Sequence, residues 1–506
     1  MNKQNIKKKL KVVLMQPNFQ LLGKRSWKLL PYGLCLLKAC CSDEFDVTVY
    51  DPNFDSESED LIKQKLLEFK PDVVGLTSFS TEYIKEIYYH ASFIKSTLPN
   101  VKVIVGGVLP TVCPEKIISC NDIDYLIMGE GEFVLKELLR AIVSGNEKIA
   151  AGIRGIALRD AGRNIINDRP DFINDLDSLP FPDYSDLDIV KYGSFEHRYA
   201  HTLISRQLPF ATTMSSRGCP MGCTFCAAST VSGKKVRLRS AENVLSEIEY
   251  LAKNHGIKEI IFLDDHFLFN RRRAMDIMHG IISRFPDLTW KCVNVAVFSL
   301  DSEILETMLK SGCNQITLSI ESGDTDTLKH LIKKPVDLEK AKEISDIARS
   351  FGIEVVSNFV IGTPGETWEQ IRRTFKYAEN LNIDMVNFHI ATPLPKTELM
   401  RICIEKGLLK SEDEVAGYTV GAINTPEFTG FELQVLRAFE WDRINFSSKE
   451  KSRTIAKLQG ITEEEVEEWR KQTRRNLGNI HYTRSQEDNG ELIFQSVQFN
   501  KELHHV

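Results

Sequence analysis

The sequence lacks any apolar stretch approaching the roughly 20 residues of a membrane-spanning helix. The basic opening MNKQNIKKK is followed only by the short apolar run from Val12 to Met15, too short for the core of a secretory signal. A cytoplasmic protein with no transmembrane segment is expected. An excess of positive charge is also missing. Lys and Arg number 64 against 70 Asp and Glu, a net charge of −6, so a phosphate backbone is not the expected partner and no nucleic acid is foreseen. There is no internal repeat and no low-complexity tract. No G-x-G-x-x-G stands before a helix start, which argues against a dinucleotide site. A disulfide framework is lacking too: the eleven cysteines are odd in number, and eight of them are scattered. Those eight are Cys35, Cys40, Cys41, Cys113, Cys120, Cys292, Cys313 and Cys403, most simply small core residues.

What is present is a soluble composition, 42% hydrophobic and 26% charged, on a chain of 506 residues, long enough for two or three domains. From residue 10 to about 145, strand-like and helix-like segments alternate. KVVLMQPN (11–18), DVTVYDPN (46–53), DVVGLTSFS (72–80), VKVIVGGVLP (101–110) and DYLIMGEGE (124–132) read as strands, several of them near-continuous apolar runs. YGLCLLKACC (32–41), SESEDLIKQKLLEF (56–69), STEYIKEIYYHASFIKS (80–96) and FVLKELLRAIVSG (133–145) read as helices. This order predicts a doubly wound parallel sheet over 1–146. Residues 147–204 read as a connector, with hairpin character in IRGIALRDAGRNI and an extended stretch around Pro180 and Pro182. From about 205 to 400 a second α/β series follows. Its strands are FATTMSS (210–216), EIIFLDD (259–265), TWKCVNV (289–295), QITLSIES (315–322), VVSNFVIG (355–362) and MVNFHIA (385–391). Six such units predict a partial (β/α)6 TIM-like barrel, whose chemistry belongs at the C-terminal strand ends. A mainly helical segment, 401–506, closes the chain.

The segment SSRGCPMGCTFCAAS (215–229) stands in the first strand–helix loop of that barrel. Cys219, Cys223 and Cys226 follow C-x-x-x-C-x-x-C, and Gly218, Pro220 and Gly222 allow a tight loop that turns three thiolates to one point. A structural zinc usually takes four ligands, and so does a fully ligated iron–sulfur cubane. Three leave one iron open. The plainer readings are zinc with a distant fourth ligand, or chance clustering.

The motif in this position resembles the radical S-adenosylmethionine superfamily. The resemblance implies a [4Fe–4S] cluster on Cys219, Cys223 and Cys226. It also implies S-adenosylmethionine chelated at the open iron and a 5′-deoxyadenosyl radical made by one-electron reduction. A reductant such as flavodoxin or ferredoxin would supply that electron. Other strand ends match the superfamily's cofactor motifs in order. Phe225 stands where the family places an aromatic near the adenine. Asp264 and Asp265 in FLDDHF are placed to accept from the cofactor's ammonium. Glu321 in SIESG is placed for the ribose or amino acid portion, and Gly362, Pro364 and Gly365 in VIGTPGET for the adenosyl group. The family often has Gly where this chain has Lys396. The catalytic residue acting on the substrate is not identified.

The N-terminal pieces PYGLCLLKA, TSFS, VGGVLPT and MGEGE are similar to the cobalamin-binding domain that precedes the radical domain in one large subgroup. Ser78, Ser80, Gly106, Gly107, Gly129, Glu130 and Gly131 are the implied cobalamin contacts. The D-x-H-x-x-G signature of a lower histidine ligand is absent, and Leu109 stands where relatives often have His. The implied activity is cobalamin-dependent methyl transfer to an unactivated carbon of a small molecule. The alternatives are a radical cyclase, oxidoreductase or rearrangement enzyme without methyl transfer, or a non-catalytic iron–sulfur protein. His197 and His201 read as surface or connector histidines, His266 as an acid–base or packing residue, and Arg271 to Arg273 as a solvated helix face.

Overall fold

The computed structural model describes residues 9–23, 28–194, 205–409 and 419–482. His197 and His201 lie outside the described residues, as does the end of the chain from 483. The chain forms two compact units. One comprises Met1–Phe195, Leu208–Pro220 and Ala228–Lys258; the other comprises Glu196–Gln207, Met221–Ala227 and Glu259–Val506.

The first unit is built on seven strands: β1 (Lys11–Met15), β2 (Asp46–Tyr50), β3 (Val73–Ser78), β4 (Lys102–Gly107), β5 (Tyr125–Ile127), β6 (Ile156–Asp160) and β7 (Arg163–Ile166). Their order is β2-β1-β3-β4-β5-β6-β7. The first five are parallel, so 2-1-3-4-5 is a doubly wound order with its switch between β1 and β3. Val13, Met15, Val74, Leu76, Val103, Val105 and Leu126 all join the core, which is why these strands read as apolar runs. The hairpin in IRGIALRDAGRNI is β6–β7, and it extends this sheet antiparallel from β5. Two strands are shorter than their apolar runs. The β4 run ends at Gly107, and VLPTV turns into a short helix; the β5 run pairs over only three residues before Gly129 takes a positive φ of 85°. The unit also holds β8 (Phe210–Thr213) and the two-stranded ribbon β9 (Ser216–Arg217) and β10 (Arg237–Leu238).

The second unit carries the remaining barrel strands. These are β11 (Glu259–Phe262), β12 (Thr289–Cys292), β13 (Gln315–Glu321), β14 (Glu354–Ile361) and β15 (Met385–Ile390). β11 pairs parallel with β12, and β13, β14 and β15 form a parallel sheet. A Val295–Leu318 bridge links the two sets. The N-terminal strand ends are sealed by polar side chains. Glu259 accepts from the Arg206 and Gln207 amides at 2.6 and 2.9 Å and from the Thr289 hydroxyl at 2.8 Å. Lys291, pulled down to about 7 by burial, donates to Gln315 at 2.7 Å. The opposite, C-terminal ends carry the segments FLDDHF, SIESG and VIGTPGET.

The helix Gly430–Asn445 covers edge strand β15. Asn445 accepts from the Val386 amide at 2.9 Å and donates to the Val386 carbonyl at 2.8 Å. Arg271 is paired with Asp301 and Glu303, but Arg273, two residues on, is buried at 7% exposure; the basic run is not wholly solvated. Among the described residues, no helix is long and apolar enough to cross a membrane.

Candidate functional site

The cysteine loop leaves the β9–β10 ribbon under two constraints. Gly218 has φ +98°, and a Cβ there would meet the Lys235 carbonyl oxygen at 2.4 Å, so only glycine fits. The Cys219 amide then donates to the Gly233 carbonyl at 3.0 Å. Further along, Thr224 pins the loop. Its amide donates to Ile332 O at 3.0 Å, its hydroxyl to Leu331 O at 2.8 Å, and its carbonyl accepts from Leu399 at 2.8 Å. Cys226 N donates to Cys223 O at 3.1 Å, and Phe225 packs against Val360, Ala391, Leu399, Cys403 and Ile423.

Burial sorts the eleven thiols. Cys35, Cys40, Cys41, Cys292, Cys313 and Cys403 are buried, and burial raises all six; Cys40 and Cys403 reach about 11, Cys41 and Cys313 about 12. A thiol so shifted is a poor source of the thiolate that ligates iron. Cys219, Cys223 and Cys226 are only partly buried, as are Cys113 and Cys120. Among the described residues no three His, Cys, Asp or Glu side chains gather tightly enough to share one metal ion. A cubane does not ask for that, since each thiolate takes its own iron corner. Three partly exposed thiols carried by one loop are the kind of donor set that a [4Fe–4S] cluster takes.

The neighbouring strand ends hold the other expected residues. Asp264 is buried and Asp265 exposed. Glu321 ends β13 after a bulge and has φ +75°, a strained value for a residue with a side chain. Its carboxylate is held by Lys334 at 2.7 Å, whose ammonium also donates to Ser319 O at 2.8 Å. Gly362 has φ +84° and lies against Leu433, where a Cβ would fall 2.3 Å from Cδ1. Pro364 is buried, and Gly365 is exposed with φ +97°. Lys396 has φ +62°, so the backbone keeps a glycine-like conformation where the family often has Gly.

Sequence reasoning missed three groups here. Glu366 accepts from the Gly362 and Thr363 amides at 2.7 and 3.1 Å, its other oxygen is buried without a partner, and burial raises it to about 8. Its signal was the quoted motif VIGTPGET. Lys334 and His389 have no such signal, because what they face lies on other strands. His389 is kept neutral by burial, with Glu321 favouring and Arg437 opposing its protonation. His266 is also lowered, first by burial and then by the charge of Lys334.

In the first unit the expected cobalamin residues cluster at the ends of β3, β4 and β5. Ser78 is buried, donates to Gly106 O at 2.9 Å and accepts from Leu109 N at 3.1 Å. Gly107 has φ +95°, and a Cβ there would strike Ser78 O at 2.2 Å. Thr111 donates to Gly107 O at 2.6 Å and accepts from Gly129 N at 2.8 Å, lacing the ends of β4 and β5 together. Ser80 caps the turn that follows β3, accepting from Glu82 N. Glu130 receives Arg237 at 2.6 Å, Arg217 at 3.0 Å and the Ile173 amide at 2.7 Å, while Glu132 receives Arg217 at 2.6 Å. The GEGE segment thus neutralises the arginine two residues before Cys219. At the β1/β3 switch, Phe19, Phe79 and Tyr83 stack with centroids 4.2 to 5.2 Å apart, and Phe79 is 39% exposed. A Cβ on Gly106 would meet nothing within 4 Å. An apolar floor beside open glycine backbone fits a flat macrocycle. His90 is no metal ligand: Nε2 accepts from Asn18 N at 3.1 Å, Nδ1 faces Glu86 O at 2.8 Å, and burial lowers it to about 4.

Comparison with known proteins places these features. Residues 213–378 match the radical SAM superfamily and residues 21–139 the B12 binding domain. An uncharacterized methyltransferase of Pyrococcus horikoshii is 34% identical over 381 residues, covering 75% of this chain and 79% of its own. The cytidylyl-2-hydroxyethylphosphonate methyltransferase of Streptomyces wedmorensis is 30% identical over 416 residues, covering 75% and 76%. The cobalamin-dependent S-adenosylmethionine radical enzyme OxsB shares the fold at TM-score 0.71 and 17% identity, over 98% of this chain and 76% of that one. The chain belongs to the radical SAM superfamily, among its enzymes of the cobalamin-dependent methyltransferase type, and its cofactors are a [4Fe–4S] cluster, S-adenosylmethionine and cobalamin.

Proposed function

We propose that this enzyme transfers a methyl group to an unactivated carbon of a small molecule by radical chemistry. The observation that carries the reading is the joint presence of a three-cysteine loop on a barrel and a 2-1-3-4-5 sheet with an apolar, glycine-open switch point. S-Adenosylmethionine on the reduced cluster supplies a 5′-deoxyadenosyl radical when bound, and the corrinoid supplies a methyl group. The chain's own residues hold and orient. Cys219, Cys223 and Cys226 ligate the cluster and leave one iron open. Phe225 and the Gly362–Pro364–Gly365 turn support the adenosyl group, Asp264 and Asp265 the ammonium, and Glu321, steadied by Lys334, the ribose or amino acid portion. Ser80, Gly106, Gly107, Gly129 and Gly131 form the corrinoid cradle, with Ser78 and Glu130 bracing it from behind. His90 is committed to Asn18 and Glu86 and Leu109 is in the core, so neither position offers the corrinoid an imidazole. The electron comes from a flavodoxin- or ferredoxin-type donor.

The test is anaerobic reconstitution with iron and sulfide, then dithionite and S-adenosylmethionine, with and without cobalamin. S-Adenosylhomocysteine formed only with cobalamin, beside 5′-deoxyadenosine, is the expected result. 5′-Deoxyadenosine alone would move the assignment to a cyclase, oxidoreductase or rearrangement enzyme. Cys223→Ala should lose the brown cluster absorbance while Cys292→Ala keeps it; iron loading that survives the first change would overturn the ligand assignment.

A further inference from the structure

The helix Gly430–Asn445 carries a cation that no acid among the described residues neutralises. Its position is fixed at both ends. Leu433 sits against Gly362 at the end of β14, and Asn445 holds the Val386 backbone near the start of β15. Arg437 follows Leu433 by four residues, hence on the same face and one turn further along. This places it beside the upper part of β15, where His389 stands opposite Val360 of β14. Its charge is close enough to oppose protonation of His389.

The groups around that point form two levels inside the barrel. In the lower one, Ser319, Asn358 and Asn387 stand in register on β13, β14 and β15, with Asn387 donating to Asn358 at 3.1 Å. The upper one holds Glu321 and His389. Both groups carry little free negative charge, since Glu321 is already held by Lys334 and His389 is neutral.

Several cations of this unit have acids. Arg373 has Asp324, Arg443 has Glu379 and Glu440, and Arg470 has Asp442. Arg437 has none among the described residues. Its Nε is shut off from solvent without a hydrogen-bond partner, and burial alone lowers its affinity for the proton, to about 10. A guanidinium stays charged at neutral pH, and a buried unpaired charge is costly. The same fork of donors matches a carboxylate or phosphate with two parallel hydrogen bonds.

We propose that Arg437 is an anion seat inside the barrel, completed by an oxyanion, carboxylate or phosphate-like, of a molecule bound for the reaction. The seat rests on reading the barrel as the reaction chamber. Two molecules could bring the oxyanion: the substrate, or S-adenosylmethionine through its carboxylate.

The experiment uses the full chain with its cluster reconstituted, wild type beside Arg437→Met, and reads thermal unfolding. The probes are inorganic phosphate against chloride at matched ionic strength, S-adenosylmethionine, and decarboxylated S-adenosylmethionine. Without a probe the variant should unfold at or above the wild-type temperature, with iron loading unchanged. A saturating probe that fills the seat should raise the wild type by about 2–5 °C and leave the variant unmoved. If phosphate alone separates the two proteins, the oxyanion belongs to the substrate. If instead the advantage of S-adenosylmethionine over its decarboxylated form disappears in the variant, the oxyanion is the cofactor's carboxylate. Equal responses of both proteins to every probe would overturn the seat. So would a variant that unfolds several degrees below wild type with no probe present, since the guanidinium would then be holding the fold. The readout uses no turnover, so failure to detect methyl transfer would count against the proposed reaction and not against the seat.

Discussion

Glu366 is a carboxyl group enclosed by the loop it organises. One oxygen takes the Gly362 and Thr363 amides, and the other meets no donor. Burial outweighs those two hydrogen bonds and raises the group from 4.5 to about 8. The folded chain therefore binds this proton more tightly than the unfolded chain. Its contribution is complete below about pH 4.5 and is lost as the pH rises toward 8. Glu366→Gln keeps a carbonyl for the two amides and carries no charge, so it should remove that loss. The stability difference between variant and wild type should grow in the variant's favour by on the order of 2–4 kcal/mol from pH 5 to pH 8 in denaturant titrations. A difference that stays flat would mean the carboxyl is ionised throughout. At this scale the sequence marked VIGTPGET as a glycine turn but not the Glu366 carboxyl that organises it, although its partners are neighbours in the chain. It was silent on Lys334 and Arg437, because a partner thirteen residues away and a neighbouring strand far earlier in the chain leave no local pattern.

The barrel strands were legible as elements because short β-rich apolar stretches recur along them, broken by single polar positions such as Asn387 and His389 in β15. What closes the open edge was not. In the helix Gly430–Asn445 the buried positions Leu433, Gln434, Val435, Leu436, Ala438, Glu440, Trp441, Ile444 and Asn445 run around most of the cylinder and include polar residues. No single apolar stripe marks the helix as a cover for β15. Asn445 nevertheless does what a neighbouring strand would do, giving the Val386 amide an acceptor and its carbonyl a donor. Asn445→Leu fills similar space but leaves both backbone groups buried and unmatched. It should cost about 1–3 kcal/mol, seen as a lower denaturant midpoint at unchanged slope. A midpoint equal to wild type would show that the edge finds other partners.

The first compact unit is not one stretch of chain. Composition draws boundaries at 146 and 204, yet this unit also includes Leu208–Pro220 and Ala228–Lys258. The later segments bring charges the earlier one needs. Glu130 and Glu132 are neutralised by Arg217 and Arg237, and Glu247 receives the Thr213 hydroxyl at 2.8 Å beside the Arg239 guanidinium. Tyr32, Leu36 and Leu176 meet Met214, Arg217 and Arg239 around one small pocket. A fragment ending at 204 would lose every one of those partners, leaving two carboxylates unmatched and an apolar wall open to water. Removing one member of a buried charge pair costs about 3–5 kcal/mol, a large part of the stability a domain has. A fragment ending at 258 keeps all of them. The longer fragment should therefore melt in one cooperative transition with a structured near-ultraviolet circular dichroism spectrum, while the shorter one should melt broadly at lower temperature or fail to stay in solution. Equal melting of the two would mean that the cobalamin-type sheet folds without the ribbon that leads into the cysteine loop, and that the Glu130–Arg217 pairing adds little to either.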